Sequence, residues 1–460
     1  MSLNKISRVA ILAVSVAAFS SCHIYNKFDM PTDTPITAEY AEARDAAIDS
    51  AAFGNLKWQE VFTDPFLAEL IERALVNNKD LNNAKLNVDM AHAQLKGARL
   101  SYLPSVALTP NGAGASYDHS KISWTYQIPV AVSWEIDLFG KLLNADRKAK
   151  AALLQSEAYE QAVRSQIIGG VANCYYTIAM LEKQLQISRQ TAESWAESVE
   201  VMKNLKLAGR VNESAVVQST ANYYSILGSI TDLEVSLHEA NNAMSLLMNE
   251  MPHSWDIPAD ATFTTPEILR EGIPMKELAS RPDVRAAEQS LAAAYYTTNQ
   301  ARAAFYPGIT ISSNGGFTNL LGSFISNPGK WFIQLAGQLT QPIFARGQLI
   351  ANLEATKAQQ EQAMNNFEYT LLSASAEVSD ALMLYTKSGE KSGLLEKQVE
   401  NLEKTVEYTK ELLSLNGSST YLEVLTAQQG LLSAQISQVA CENAKARAAI
   451  NLYQSLGGGR

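Results

Sequence analysis

The sequence has 460 residues and a formal net charge of −10, and it contains only 24 glycines and 14 prolines. An acidic chain is a poor partner for nucleic acid, because few cations are available to neutralise the phosphates. A composition rich in Ala, Leu, Gln, Glu and Ser favours long helices over a series of ordinary globular domains.

The N-terminus has the features of an export signal. Lys5 and Arg8 precede an apolar run, Val9–Phe19, that is too short to span a bilayer. The run ends in Ser20-Ser21-Cys22, which resembles a bacterial lipobox. We therefore expect residues 1–21 to be a signal peptide and Cys22 to carry a covalent lipid, with no other cofactor. Ordinary cleavage near the same point, with Cys22 as a bystander, is the alternative.

An internal repeat organises the rest of the chain. Three separated stretches match between the two halves at offsets of 203 to 208 positions: Leu103-Pro104-Ser105-Val106 with Tyr306-Pro307-Gly308-Ile309, Leu138-Phe139-Gly140-Lys141 with Ile343 to Gln348, and Gly209 with Gly417. Fixed-offset similarity indicates duplicated structural units. The predicted organisation is a lipid-anchored segment 22–63, a first repeat 64–250, a linker 251–280, a second repeat 281–456 and a tail 457–460.

Each repeat is predicted to contain a helix, two strands, a long helix and a further helix. In the first repeat these are a helix at 64–101, strands within 104–138, and helices at 141–207 and 212–250, with a break at Gly209. In the second repeat a helix covers 282–304, and two helices extend from Gly347 to about Leu456 with a break at Gly417.

The strand regions show strict alternation. The apolar set is Trp124, Tyr126, Ile128, Val130, Val132, Trp134, Ile136 and Leu138, and Glu135 and Asp137 belong to the polar set between them. Aromatic residues near the strand ends favour a lipid-facing exterior, so the two carboxylates are expected to face a polar lumen. A soluble sheet packed on helices, or a salt bridge at the rim, is the alternative. Pro129 cannot donate to a strand ladder, and we expect a bulge there.

The long helices carry coiled-coil patterns. One seam follows steps of three and four: Ile167, Val171, Cys174, Ile178, Leu181, Leu185, Ala192, Trp195, Val199 and Met202. A second seam comprises Leu371, Val378, Tyr385, Leu395, Val399, Leu402, Val406 and Leu413. Sustained heptads indicate helices that supercoil against neighbours. If the breaks at Gly209 and Gly417 lie at one level, Cys174 and Cys441 differ in height by roughly 16 Å, too far for a disulfide.

Four strands per chain cannot close a membrane barrel, because the smallest barrels have about eight. An open edge in lipid would also leave backbone groups unpaired. The strand count therefore predicts an oligomer of two, three or four copies that share one barrel.

Several motifs resemble the TolC/OprM family of outer-membrane efflux factors along nearly the whole mature chain. They are Arg281-Pro282-Asp283-Val284, Ala301 to Pro307, Trp134 to Lys141, Gln341-Pro342-Ile343-Phe344 and Tyr421 to Gln428. The resemblance implies a mostly α-helical fold with a 12-stranded barrel closed by a homotrimer. It also implies a duct in the outer membrane, docked to a periplasmic adaptor and an inner-membrane pump that is often proton-driven. The lipidated Cys22 resembles the OprM branch.

The resemblance further implies a gate at the periplasmic tips, which Gly209 and Gly417 mark and where the adaptor would dock. Glu423 occupies the first of the family's two acidic gate positions, close to Tyr421, whereas Thr426 occupies the second, so the sequence supplies only one of the two acidic positions. A carboxylate that stabilises a helix start is the alternative role for Glu423.

The sequence offers no catalytic or metal-binding constellation. The five histidines, at positions 23, 92, 119, 238 and 253, lack metal-ligand spacing. A plain diffusion porin would carry many strands and no coiled coils of this length. A coiled-coil envelope spacer or adhesin stalk without a pore is the remaining alternative, but it leaves the strands unexplained.

Overall fold

A computed structural model describes residues 23–45, 56–116, 118–261, 275–319, 330–415 and 421–459. Several predicted features lie outside the described residues: the signal peptide, Cys22, Gly417 and residues 262–274 of the linker. The described helices that matter here are α1 (Pro35–Asp45), α2 (Trp58–Val61), α3 (Pro65–Asn77), α4 (Lys79–Leu100), α5 (Lys141–Leu207), α6 (Glu213–Met248), α7 (Met275–Ala279), α8 (Pro282–Ala303), α9 (Gln348–Leu415) and α10 (Tyr421–Ser455). The strands are β1 (Ser105–Leu108), β2 (Asn111–Ala115), β3 (Ser123–Ile136), β4 (Gly308–Thr318) and β5 (Lys330–Thr340).

The chain forms two compact units, and each draws on both halves of the sequence. The first comprises residues 1–37, 86–157 and 285–369 and contains the whole described sheet. The second comprises residues 38–85, 158–284 and 370–460, and its described elements are helices. The order of helix, strands, long helix and helix occurs twice along the chain, as the internal repeat predicted. None of the described helices combines the length and apolar character needed to cross a membrane.

The single helix predicted at 64–101 is wrong, because Asn78 divides it into α3 and α4. The Asn78 backbone N–H donates to Ala74 O and closes α3. Its side-chain Oδ1 accepts from the backbone N–H of Asp80 at 2.9 Å and starts α4. The side-chain amide then donates to Leu247 O at 2.9 Å. One asparagine thus ends a helix, caps the next and contacts α6.

The described strands form one antiparallel sheet in the order β1/β2–β3–β4–β5. β1 and β2 both pair with β3, and they are two parts of the first of the two strands predicted within 104–138. Strand β3 also pairs with β4 over ten residues, from Gln127 opposite Thr318 to Ile136 opposite Ile309. The two hairpins therefore join into one sheet. It has four strand positions, because β1 and β2 occupy the same position beside β3.

The bulge expected at Pro129 is wrong. The register of β3 is the same before and after Pro129 against both neighbours, so no extra residue is inserted. Thr109 N–H donates to Pro129 O at 3.1 Å, which shows that the backbone groups of Pro129 face β1 and β2. The neighbouring strand is interrupted at Thr109 and Pro110, directly opposite. The missing N–H of Pro129 is therefore accommodated by a gap in its partner.

The coiled-coil seams lie in the second unit. Nine of the ten residues in the first predicted seam are buried, and Cys174 is half-buried. In the second seam Leu371, Val378, Leu395 and Val399 are buried, and the other four are half-buried. Cys174 and Cys441 are free thiols, and the Cys441 Sγ contacts Ser388 O at 3.5 Å.

Candidate functional site: sheet faces and helix tips

One face of the sheet is apolar and exposed. The strand registers place on this face the residues Val106, Leu108, Trp124, Ile128, Val130, Trp134, Ile311, Phe317, Trp331, Ile333, Leu335 and Leu339. Each of these side chains is at least 40% exposed in a single chain. Contiguous apolar surface of this extent needs a nonaqueous partner, and an alternating sheet is how a barrel meets lipid.

The opposite face of the sheet is polar. In the two central strands it presents Thr125, Gln127, Ser133, Glu135, Thr310, Ser312, Asn314 and Thr318. Glu135 shares this face, and its Oε1 pairs with Lys141 Nζ at 2.8 Å. Asp137 follows β3, and its Oδ2 accepts the Leu143 backbone N–H at 2.8 Å, which caps the start of α5. Both carboxylates thus have structural partners, and their exposure to a lumen stays a prediction.

The segment that follows Cys22 is fixed at the junction of β3 and α5, which the sequence did not reveal. Asn144 Nδ2 donates to Ile24 O at 2.7 Å, and Arg147 Nη1 donates to Tyr25 O at 2.8 Å. Phe28 N–H donates to Tyr296 Oη at 3.0 Å. In these contacts the segment takes part through backbone groups, so its side chains give little indication of them in the sequence. They hold the chain directly after the predicted lipid-bearing residue.

The first helix tip has the turn that its glycine predicted. Gly209 has a φ of 74°, a left-handed conformation that glycine adopts without strain. Its N–H donates to Lys206 O at 2.9 Å, and Arg210 N–H donates to Leu205 O at 2.9 Å, as in a Schellman motif. Asn212 then caps α6 through its side chain.

At the second tip, Tyr421 and Glu423 occupy different environments. Tyr421 packs against a buried cluster of Ala192, Trp195, Ile226 and Leu425. Its Oη accepts from Ser219 Oγ at 3.2 Å, and burial raises the pKa of its phenol. Glu423 lies in the first turn of α10 and is exposed. Tyr421 therefore anchors the tip of α10 to the neighbouring helices, while the Glu423 side chain is exposed on the surface of the chain.

A buried arginine joins several elements of the second unit. Arg281 is only 5% exposed. Its guanidinium donates to Asp283 through Nε at 3.0 Å and Nη2 at 2.7 Å, and to Glu377 Oε2 at 2.7 Å. Nη1 donates to Ser455 O at 2.6 Å, at the carboxyl end of α10, where a cation is favoured. The sequence shows this arginine only as part of a motif and gives no sign of its burial.

Comparisons with known proteins agree with this geometry. The family described as "Outer membrane efflux protein" matches residues 70–250 and 273–458. The chain is 28% identical over 450 residues to the cation efflux system protein CusC of Escherichia coli, covering 96% of each chain. It is also 28% identical to the probable outer membrane lipoprotein SilC of Salmonella typhimurium, covering 100% of this chain and 99% of that one.

The fold has a close counterpart among solved structures. A crystal structure of CusC superposes with a TM-score of 0.82 at 26% identity, over 94% of this chain and 98% of that chain. The fold is therefore shared over nearly the whole length of both chains. Within the described residues, no three His, Cys, Asp or Glu side chains lie together as a potential metal site.

Proposed function

The chain belongs to the outer membrane efflux protein family, and we propose that three copies of it form the outer-membrane duct of a tripartite efflux system. In this proposal each copy contributes four strand positions to a 12-stranded barrel. The helices continue the duct into the periplasm, where a periplasmic adaptor connects it to a proton-driven pump in the inner membrane. The duct transports small molecules outwards and catalyses no reaction.

The observation that carries the proposal is the sheet of the first unit. It has an exposed apolar face and a polar face, and among the described strands the outer edges of β1/β2 and β5 have no partner. In lipid such edges must be paired, and four strand positions are too few to close a barrel. Additional copies of the same chain supply the missing strands.

Electron microscopy and native mass spectrometry of the protein in mild detergent test this assembly. We expect a trimer with an axial pore, and step-like conductance in planar bilayers. A coiled-coil spacer would show no pore and no conductance, and a stable membrane-inserted monomer would exclude the shared barrel.

Lipidation of Cys22 is part of the proposal. The residues after it are held against α5 by Asn144 and Arg147, and the relative SilC is named as a probable lipoprotein. Mass spectrometry of the mature N-terminus should find an acylated cysteine, and a Cys22→Ser variant should lose labelling by radioactive palmitate. A mature chain that begins elsewhere would exclude the anchor.

Cation preference of the duct should depend on Glu135 and Asp137. We expect the double variant Glu135→Gln, Asp137→Asn to reduce the cation-to-anion permeability ratio by about twofold or more, because acidic linings favour cations. Asparagine retains an oxygen that can accept the Leu143 N–H, so the start of α5 is preserved. Single-channel reversal potentials in a salt gradient measure the ratio.

The matched control is Glu200→Gln, which removes an exposed carboxylate further along α5 that is paired with Lys203. This variant should leave the permeability ratio unchanged. If the control and the double variant behave alike, Glu135 and Asp137 do not line the conduction path.

Glu423 is proposed to form a ring of three carboxylates at the gate, close to the tips that Gly209 and Gly417 mark for adaptor docking. Such a ring would bind multivalent cations. Glu423→Gln should therefore weaken block by trivalent cations added on the periplasmic side of a planar bilayer, by roughly tenfold in blocking concentration.

Glu213→Gln is the matched control, because Glu213 also begins a helix after a tip and is paired with Lys206. Block should be unaffected by this change. If Glu423→Gln also leaves block unchanged, while Tyr421→Phe alters conductance, the gate lies elsewhere at the tip and Glu423 serves only the start of its helix.

A further inference from the structure

At the two open edges of the sheet, the outward-facing backbone groups belong to odd-numbered residues on one edge and to even-numbered residues on the other. In β3 the odd residue Pro129 directs its carbonyl to β1/β2, whereas the even residue Tyr126 accepts from Asn319 N–H on the β4 side. Because this alternation is fixed along paired strands, odd residues of β5 and even residues of β1 and β2 face the open edges. The edges can therefore pair only in registers that match odd residues of β5 with even residues of β1/β2.

The internal repeat narrows the choice of register, because the structure shows which residues of the two halves of the chain are equivalent. Trp134 Nε1 donates to Tyr102 O at 2.9 Å, and in the second half Gln341 Nε2 donates to Phe305 O at 3.0 Å. Gly140 and Gly347 have φ values of 71° and 76° and directly precede the long helices. Strand β3 thus corresponds to β5 at an offset of 207 positions. The β1/β2 strand corresponds to β4 at an offset of 203.

Pairing between the repeats already occurs once within the chain, at β3 and β4. There Pro129 lies opposite Gly316, and Ile136 lies opposite Ile309. The residues equivalent to Pro129 and Gly316 are Ala336 in β5 and Ala113 in β2. We propose that β5 of one copy pairs with β1/β2 of the next copy in the same register, with Ala336 opposite Ala113 of the neighbouring chain.

The exposed side chains agree with this register. It places Ile343, which is 94% exposed and follows β5, opposite Val106, which is 66% exposed. Their equivalents Ile136 and Ile309 are half-buried at the junction within the chain. Both pairs lie on the apolar face, so the lipid-facing surface continues without a break from one copy to the next.

The two prolines at these edges have different consequences in the proposed register. Pro342 is an even residue of the β5 segment, so its missing N–H faces β4 and does not interrupt the intermolecular ladder. Pro110 faces the open edge and removes one hydrogen bond, opposite Leu339. Proline at an edge also discourages uncontrolled pairing of strands from unrelated chains.

This inference rests on the proposed trimer and is tested by cysteine cross-linking in a variant with Cys174 and Cys441 changed to alanine. Ala336 and Ala113 would form a non-hydrogen-bonded pair, with Cα atoms about 4.5 Å apart, which suits a disulfide. The variant Ala336→Cys, Ala113→Cys should form covalent dimers and trimers on oxidation, at least fivefold more than two shifted variants. These controls combine Ala336→Cys with Asn111→Cys or with Ala115→Cys.

The outcomes separate the register from the assembly. Preferred cross-linking of a shifted variant, in protein that is trimeric by native mass spectrometry, would overturn the register and leave the proposed duct intact. Absence of any trimer would overturn the proposed function itself. A disulfide within one chain would contradict both, since β3 and β4 separate the two edges in the monomer.

Discussion

Replacing Arg281 with alanine is expected to destabilise the protein by about 1–3 kcal/mol, because it leaves the buried carbonyl of Ser455 without its donor. Arg281 is 6% exposed at its side chain and pairs with Asp283 and Glu377 from two different helices. It also caps the carboxyl end of α10 at Ser455. Urea unfolding of the solubilised protein, followed by helical circular dichroism, measures the loss.

Two further variants make the Arg281 experiment specific. Arg285→Ala removes an exposed arginine four residues later and should change stability by less than about 0.5 kcal/mol. Arg281→Lys keeps the charge but cannot reproduce the fork of donors, so an intermediate loss is expected. Equal unfolding midpoints for Arg281→Ala and Arg285→Ala would show that the contacts of Arg281 contribute nothing to stability.

Gly316→Ala is expected to disrupt the junction between the two hairpins. A Cβ at this position would collide with the carbonyl oxygen of Ile128 and lie 2.8 Å from Pro129 Cα. Both obstacles are backbone atoms of the adjacent strand, so the strands themselves must separate. Overpacking of this kind costs about 1–3 kcal/mol. The yield of assembled oligomer in outer-membrane fractions should fall about ten- to a hundredfold.

Gly337→Ala provides the matched control, since nothing lies within 4 Å of a Cβ at this strand position. Its oligomer yield should be close to that of the unaltered protein, as measured on unheated denaturing gels. A similar fall in both variants would indicate a general intolerance of alanine in the strands, and the close approach at Gly316 would not be the cause.

Much of the architecture was predictable because burial imposes a period on the sequence. The alternation from Trp124 to Leu138 placed the right residues on the apolar face, and the heptads placed Val171, Ile178 and Trp195 on a buried seam. The glycine at 209 marked a helix end because its left-handed conformation excludes most other residues. These features depend on local patterns that one chain segment displays by itself.

The features that the sequence did not reveal depend on partners distant along the chain. Nothing near Asn78 in the sequence distinguishes it from the other helical residues. Its contact with Leu247 in α6 favours the break between α3 and α4. Pro129 required a bulge only if its neighbouring strand was continuous, and that strand is interrupted. The network of Arg281 joins residues 174 positions apart, for which no local period exists.

The register of the sheet also determines how steeply the strands are inclined in a closed barrel. Ser133 of β3 lies opposite Ser105 of β1 on one side and opposite Ser312 of β4 on the other. The residue of β4 that is equivalent to Ser105 in the repeat is Gly308, which lies four residues before Ser312. A stagger of four residues, about 13 Å, over two strand spacings, about 9.6 Å, corresponds to a tilt of about 54°. Barrel strands are usually tilted by about 35–45°.

Steep inclination reconciles the length of β3 with the thickness of the bilayer. Its 14 residues would extend roughly 46 Å if upright, well beyond an apolar band of about 25 Å. At a tilt of about 54° the same strand rises only about 27 Å along the membrane normal. The inclination also spreads each strand around a larger circumference, so a barrel with few strands encloses a wider lumen than an upright one.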